Sequence, residues 1–273
     1  MSSCPRNVAH AAGAAFDSIA EQYDDIFTYS LIGRAQREAV WAVLHQTYNA
    51  GDRVLELNCG TGEDALFLAR RGVSVYACDA SPRMISVAAW RMANASRGAQ
   101  VQLEVRPTEQ IGALPEPRNF DGVFSNFSGL NCVDDLSTVA RRLSGLVRLG
   151  GTLVLCLSTR FCLWETAWYL AHGKMERAFR RWKGRTIAAL GDFQVNVQYP
   201  TLSEVRRMFE PEFALRACRA VGLMVPPSYV EHLARKFPRL LRRLEAVDRR
   251  IAALPGCRVL GDHMLLVLEK TVP

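Results

Sequence analysis

Arg53-Val-Leu-Glu-Leu-Asn-Cys-Gly-Thr-Gly-Glu-Asp-Ala65, continued by Val73-Ser-Val-Tyr-Ala-Cys-Asp79, reads as a strand, a glycine turn, a helix and a second strand ending in an acid. Gly60 and Gly62 let the backbone turn sharply and approach a ligand with no side chain in the way. Asp79 ends the second strand, where a carboxylate can accept both hydroxyls of a ribose. The pattern predicts a nucleoside-containing cofactor and leaves its identity open.

The same rhythm continues outward. Val54–Leu57, Val73–Ala77, Val101–Val105, Gly122–Ser125 and Thr152–Leu157 are short, apolar and rich in β-branched residues. Between them, Asp64–Arg71, Pro82–Arg97 and Asp134–Leu149 carry apolar residues at helical spacing. Pro82 suits a first helical turn with Ser81 as its N-cap, and Gly150–Gly151 suits a helix end before the fifth strand. Such alternation predicts an α/β fold, a doubly wound Rossmann-like sheet covered on both faces. Phe213–Ala220 and Met264–Lys270 add two late strands, with Thr201–Phe209 a helix capped by Thr201 or Ser203. Seven strands result, mostly parallel, the last expected to be antiparallel.

Residues 158–200 are aromatic and basic, with Trp164, Trp168, Tyr169, Phe179 and Trp182, and read as a helical insertion or lid. Pro226–Leu254 is amphipathic, with Leu233, Phe237, Leu240, Leu241, Leu244, Val247 and Ile251 on one helical face. That stripe reads as core or lid packing before it reads as a membrane-binding face. The expected organisation is one domain over 1–273, with a helical cover at 1–50, the insertion at 158–200 and a second helical cover at 222–258.

Composition narrows the class. The chain has 273 residues, 49% of them hydrophobic, and a mean hydropathy near zero, as in a soluble globular protein. No apolar run reaches the ~20 residues of a membrane span, and residues 1–15 lack the apolar core of a secretion signal. Eight cysteines form no CxxC pair and no zinc-type spacing with histidine, which favours a reducing, cytoplasmic compartment and no metal. The net charge of +7 is carried almost wholly by arginine, densest at 177–185 and 235–250. Solvated helix faces account for such stretches more readily than a nucleic-acid partner does. Peripheral membrane contact stays open, as does the oligomeric state.

Gly60-Thr-Gly-Glu-Asp-Ala65 also fits a dinucleotide turn. Glu56 argues against one: a carboxylate four residues before Gly60 repels a pyrophosphate but suits the ammonium end of an amino-acid-like ligand. Leu55-Glu-Leu-Asn-Cys-Gly-Thr-Gly62 resembles the first motif of class I S-adenosylmethionine-dependent methyltransferases. The resemblance extends over most of the chain. Phe16-Asp-Ser-Ile-Ala-Glu-Gln-Tyr-Asp24 is similar to their entry segment and Asp79-Ala-Ser-Pro-Arg-Met84 to their second motif. Phe120-Asp-Gly-Val-Phe-Ser-Asn126 and Leu149-Gly-Gly-Thr152 resemble their fourth strand and the turn before the fifth.

The resemblance implies S-adenosylmethionine as cofactor. Glu56, Asn58, Gly60, Thr61 and Gly62 would then form the methionine end and the turn, and Asp79 with Ala80 would hold the ribose. Ser81, Met84 and Thr108 would border the adenine, Asn126 and Phe127 would flank the sulfonium, and Tyr23 would close over it. Two positions depart from the family: Asn58 stands where many relatives have Gly, and Pro107 where many have an acid, leaving Thr108 or Glu109 to meet the adenine. A small, fairly hydrophobic acceptor is expected, bound by the insertion and by Gly222–Tyr229. No catalytic base is identifiable: His10, His45, His172, His232 and His263 are isolated in sequence, and His172, Tyr199, Tyr229 and His232 fall in segments able to reach the site. Other readings are a nucleic-acid-directed methyltransferase, a non-catalytic cofactor-binding protein and an NAD-dependent oxidoreductase. The first lacks an Asn-Pro-Pro-Tyr signature at 125–129, and the last lacks a Tyr-x-x-x-Lys pair.

Overall fold

The computed structural model describes residues 9–95, 100–114, 119–190 and 192–272, with side chains described from residue 12 onward. Three elements precede the sheet: helix α1 (Ala9–Asp17), a π-turn at Asp24–Thr28 and helix α2 (Leu31–Thr47). Then follow β1 (Arg53–Leu57), α3 (Glu63–Ala69), β2 (Ser74–Asp79), α4 (Pro82–Ala93), β3 (Val101–Val105), β4 (Phe120–Ser125), α5 (Leu136–Ser144) and β5 (Val147–Ser158). The second half holds α6 (Leu163–Ala171), α7 (Met175–Ala178), β6 (Arg185–Leu190), β7 (Phe193–Gln198), α8 (Leu202–Phe209), β8 (Phe213–Val221), α9 (Glu231–Lys236), α10 (Pro238–Ile251) and β9 (His263–Lys270).

Seven strands pair in the order β3-β2-β1-β4-β5-β9-β8. β1 through β5 are parallel, and β9 runs antiparallel between β5 and β8, as the sequence predicts. Alternate strand residues feed two cores. Leu55 and Leu57 join Val139, Leu143, Val205 and Phe209 on the face covered by α5 and α8. Val54, Val75 and Phe124 join Val40, Leu44 and Leu68 on the face covered by α2 and α3. Leu44 and Phe124 are wholly buried, and each such side chain adds about 1.5–3 kcal/mol of hydrophobic stabilisation.

Helix starts are set locally. Ser81 accepts the Met84 amide at 3.0 Å with Pro82 in the first turn, and Thr201 with Glu204 forms a complete capping box at α8. Thr201, rather than Ser203, is therefore the cap.

Three expectations need correction. Gly150–Gly151 do not end a helix: α5 stops at Ser144, and both glycines lie in an irregular stretch of β5, between the Phe120–Val147 and Gly122–Thr152 pairings. Gly150 adopts φ +74°, and a Cβ on Gly151 would lie 2.5 Å from Val147. The insertion is not wholly helical either. After α6 and α7 its second half is a separate antiparallel hairpin, β6 with β7. Thr186, Ile187, Val195 and Val197 supply β-branched residues there. The arginine stretch at 177–185 is also less solvated than expected: Arg181 is buried, and Arg180 and Arg181 both bind Glu165.

Candidate functional site

The carboxyl ends of β1, β2 and β4 meet where the strand order reverses, the usual crevice of an open α/β sheet. There Tyr23, Asn58, Gly60, Asp79, Ala80, Met84, Asn126 and Phe127 line one cavity of about 70 Å³. Those eight were all singled out from sequence. Ala12, Gly13, Phe16, Gly129 and Cys132 complete the wall; of these, Phe16 alone fell within a stretch recognised in the sequence.

The glycine turn is built around positive φ angles. Asn58, Gly60 and Gly62 lie at φ +54°, +53° and +77°. Asparagine tolerates that region better than most residues. Its side chain also ties the strand ends together, since Asn58 Oδ1 accepts from Thr108 and from Ser125, each at 3.3 Å. A Cβ on Gly60 would meet nothing within 4 Å, so the half-buried Gly60 leaves open space on the cavity wall. One on Gly62 would lie 2.9 Å from Ala88, so Gly62 serves the packing of the turn against α4.

Asp79 accepts the amides of Gly60 at 2.9 Å and of Ser81 at 2.8 Å. Burial raises its pKa against the lowering effect of those amides. Each carboxylate oxygen keeps acceptor capacity beyond one amide. Glu56, in β1 and 1% exposed, is not part of the cavity wall, and its Oε2 has no hydrogen-bond partner among the described residues. Burial pushes its pKa well up, with Asp64 adding to the rise and Arg37 opposing it.

Beside Glu56 is a buried ion pair, Arg37 with Asp64 at 2.5 Å. Asp64 also accepts from Trp41 at 2.6 Å and from Asn126 at 2.9 Å. The Arg37 guanidinium lies 5.0 Å from the Phe127 ring centre and 5.9 Å from that of Phe27. Asn126 is thus held by Asp64, and its own Oδ1 accepts the Phe127 amide at 2.9 Å. Phe127 and Ser128 follow at φ +41° and +68°, strained values for residues with side chains.

The remaining sequence-singled residues act on the turn rather than the cavity wall. Thr61 donates to Asp24 at 2.7 Å, and Arg91 binds the Thr61 carbonyl, Glu63 and Asp24. This clamp fixes the segment carrying Tyr23, whose buried phenol is pushed up to about 12. Ser81, besides capping α4, donates to Asp17 at the end of α1, and Asp17 also accepts the Arg83 amide at 3.0 Å. A Cβ on Gly13 would lie 2.7 Å from the Ala80 carbonyl, so α1 is seated closely against the β2 end. A site for a small molecule usually has about 300–1,000 Å³, so the cavity as it stands is small for a ligand of nucleoside size.

Of the histidines, the His10 side chain lies outside the described residues. His172, His232, His263, Tyr199 and Tyr229 are all absent from the cavity wall. His263, which looked isolated in sequence, is 7% exposed and meets Phe127 edge to face at 5.5 Å. Among the described residues its Nδ1 has no hydrogen-bond partner, and it lies 3.7 Å from Asp262 Oδ2. Asp262 is in turn held by Arg181 at 2.9 Å and Gln36 at 3.4 Å. Burial lowers the His263 pKa, Asp262 opposing, so the imidazole is neutral at neutral pH. The insertion aromatics make packing contacts: Trp164 donates inward to the Met224 carbonyl, while Trp168 and Tyr169 each pack against Tyr229.

With this geometry in view, comparison with known proteins is direct. Residues 54–151 match the family model described as Methyltransferase domain. That segment is similar to the methyltransferase-domain family. It contains the glycine turn, Asp79 and Asn126, and it ends within β5. A demethylmenaquinone methyltransferase of Thermobifida fusca is 36% identical over 56% of this chain and 61% of its own length. A ubiquinone biosynthesis O-methyltransferase of Xanthomonas euvesicatoria is 34% identical over 41% of this chain and 45% of its own. The chain therefore spans less than two thirds of these relatives. Among solved structures, the [4+2]-cyclase SpnF superposes with TM-score 0.65 at 16% identity, covering all of both chains. The CcbJ methyltransferase of Streptomyces caelestis gives 0.59 at 18%, over 94% of this chain and 98% of its own. Those two likenesses concern the fold.

Proposed function

We propose that this chain binds S-adenosylmethionine and transfers its methyl group to a small, hydrophobic, hydroxylated aromatic acceptor of the quinol type. The observation that carries the reading is Glu56, a buried acid in β1, four residues before the open glycine turn, with an oxygen unpartnered among the described residues. It matches an ammonium donor, while Asp79 across the turn matches a ribose diol. The quinone-pathway names of the sequence relatives support the acceptor class.

When bound, the cofactor supplies a sulfonium methyl group that leaves by in-line displacement. The protein's part is to orient and to exclude water. Glu56 holds the amino-acid end, the Gly60 backbone lets it approach, and Asp79 fixes the ribose. Tyr23, clamped through Asp24, Thr61 and Arg91, closes one side of the reacting centre, and Asn126 with Phe127 closes the other. The neutral imidazole of His263, against Phe127, receives the acceptor's hydroxyl proton, and Asp262 steadies the imidazolium that results. This proton route adds a residue that was left unassigned from sequence.

Calorimetry with S-adenosylmethionine and S-adenosylhomocysteine tests the cofactor half, with NAD as the control. Transfer of labelled methyl groups to reduced demethylmenaquinone and to a catechol tests the acceptor half. Absence of cofactor binding at millimolar ligand overturns the reading. Binding without transfer to either ring compound overturns the acceptor class alone.

A further inference from the structure

The apolar stripe along 233–251 divides into two rows with different surroundings. Leu241 and Leu244 pack with Ile32, Val225 and Val230, and Ile251 packs with Ala220 and Leu223. Leu233, Phe237, Leu240 and Val247 face outward, exposed by 37%, 49%, 51% and 37%. Leu240 and Val247, seven residues apart, share one side of α10, while Leu233 lies on α9 and Phe237 at the break between the two helices. The inner row is accounted for by the core; the outer row is a helix-long apolar edge in solvent.

Charge says what matches that edge. The segment 231–251 carries seven basic residues (Arg235, Lys236, Arg239, Arg242, Arg243, Arg249 and Arg250) against three acids (Glu231, Glu245 and Asp248). The difference is +4, more than half of the chain's +7. All seven basic residues are exposed. Two of the acids turn toward the protein: Glu231 accepts the amides of Leu31 and Ile32, and Asp248 those of Met224 and Val225. On α10 the exposed apolar row of Leu240 and Val247 thus has Arg239, Arg243 and Arg250 along one side and the core residues Leu241 and Leu244 along the other.

We propose that α9 and α10 dock this protein peripherally on a lipid bilayer with anionic headgroups. Phe237, Leu240, Leu233 and Val247 enter the boundary between headgroups and acyl chains, and the arginines meet the phosphates. A second copy fits poorly, because it would bring two cationic faces together. A nucleic acid would match the arginines and leave Phe237 and Leu240 in water. The surface goes beyond the methyl-transfer reading and does not depend on it. The two are compatible, since a hydrophobic acceptor dissolves in the same bilayer. Trp168 of α6 lies 6.4 Å from His232 of α9, which links the docking helices to the aromatic insertion.

The test is co-sedimentation of the whole chain with vesicles of phosphatidylcholine alone or containing one third phosphatidylglycerol. The chain is expected to partition onto the anionic vesicles and to release as salt rises. Phe237→Ser with Leu240→Ser, and separately Arg239→Glu with Arg243→Glu, should each weaken partition about ten-fold or more. Unchanged circular dichroism and melting temperature confirm that both variants fold, because all four positions are exposed. No binding to anionic vesicles, equal binding to neutral ones, or binding retained by both variants overturns the proposal. So does a dimer in light scattering that Phe237→Ser dissociates, or duplex DNA binding that displaces the vesicles.

Discussion

The carboxylate of Asp79 accepts the Gly60 amide at 2.9 Å, so the acid ending β2 is fastened to the glycine turn ending β1. One residue thus shapes the turn and stays available to a ligand. Asp79→Ala leaves the Gly60 and Ser81 amides without that acceptor and removes the ribose contact together. Stability should fall by about 1–3 kcal/mol, read from urea unfolding. Cofactor affinity should fall well over ten-fold in calorimetry. Asp79→Asn separates the two effects, since its amide oxygen retains one backbone contact while its nitrogen faces the other donor. An Asp79→Ala protein with unchanged cofactor affinity would show that the acid serves the turn alone.

Glu56 gives a pH signature. Burial raises its folded pKa well above the ordinary 4.5, so the native state binds more protons than the unfolded chain above that pH. The contribution to stability is full below 4.5 and is lost as pH rises through the folded pKa. Glu56→Gln should therefore stabilise the free protein at neutral pH by about 1–3 kcal/mol, while weakening the cofactor. Binding an ammonium group draws Glu56 into its charged form, so the wild type should release a proton on binding. Calorimetry in buffers of different ionisation enthalpy measures this. The Glu56→Gln protein should release none, and equal release by both would remove Glu56 from the site.

The sheet was legible because its strands are apolar and its helices periodic, and Asn126 and Asp79 follow directly from where strands end. The hairpin at 185–198 was not, because its β-branched residues alternate with Arg185, Gln194, Asn196 and Gln198 and bury little. Arg37 and Asp64 are 27 residues apart, and Arg37 of α2 sits in no motif; only the tertiary packing brings it to the start of α3. His263 was hidden for a related reason. Antiparallel pairing of β9 with β5 sets it opposite Ser158, beside the end of β4. No local pattern reports such a register. The outer row of α10 was visible as a stripe, but which residues of the stripe face the core is a matter of tertiary packing.

Helix α1 is latched by Asp17, which accepts from the Ser81 hydroxyl and the Arg83 amide. Asp17→Ala removes both contacts while leaving the cavity wall intact. The expected result is faster cofactor association and dissociation in stopped-flow fluorescence, with the dissociation rate raised more. Proteolysis near the N-terminus should accelerate in the free protein. A rate unchanged in both directions would show that α1 does not gate the cavity.

His263 has a folded pKa below the ordinary 6.5, because burial disfavours its charge and the nearby Arg181 adds to that effect, with Asp262 opposing. Between the folded and unfolded values the unfolded chain binds more protons. Stability should therefore fall as pH drops through that window and level off below the folded pKa. Urea unfolding across about pH 5 to 8 should show the slope in the wild type and a flatter profile in His263→Asn. Catalysis depends on the same neutral form. His263→Asn should lower kcat for a phenolic acceptor by about 10²–10⁴ and remove the acid limb of the kcat profile, with cofactor affinity little changed. Asp262→Asn should weaken the same step less, since it only steadies the imidazole. A loss of stability with an unaltered pH–rate profile would assign His263 to packing against Phe127 and leave the acceptor's proton to solvent.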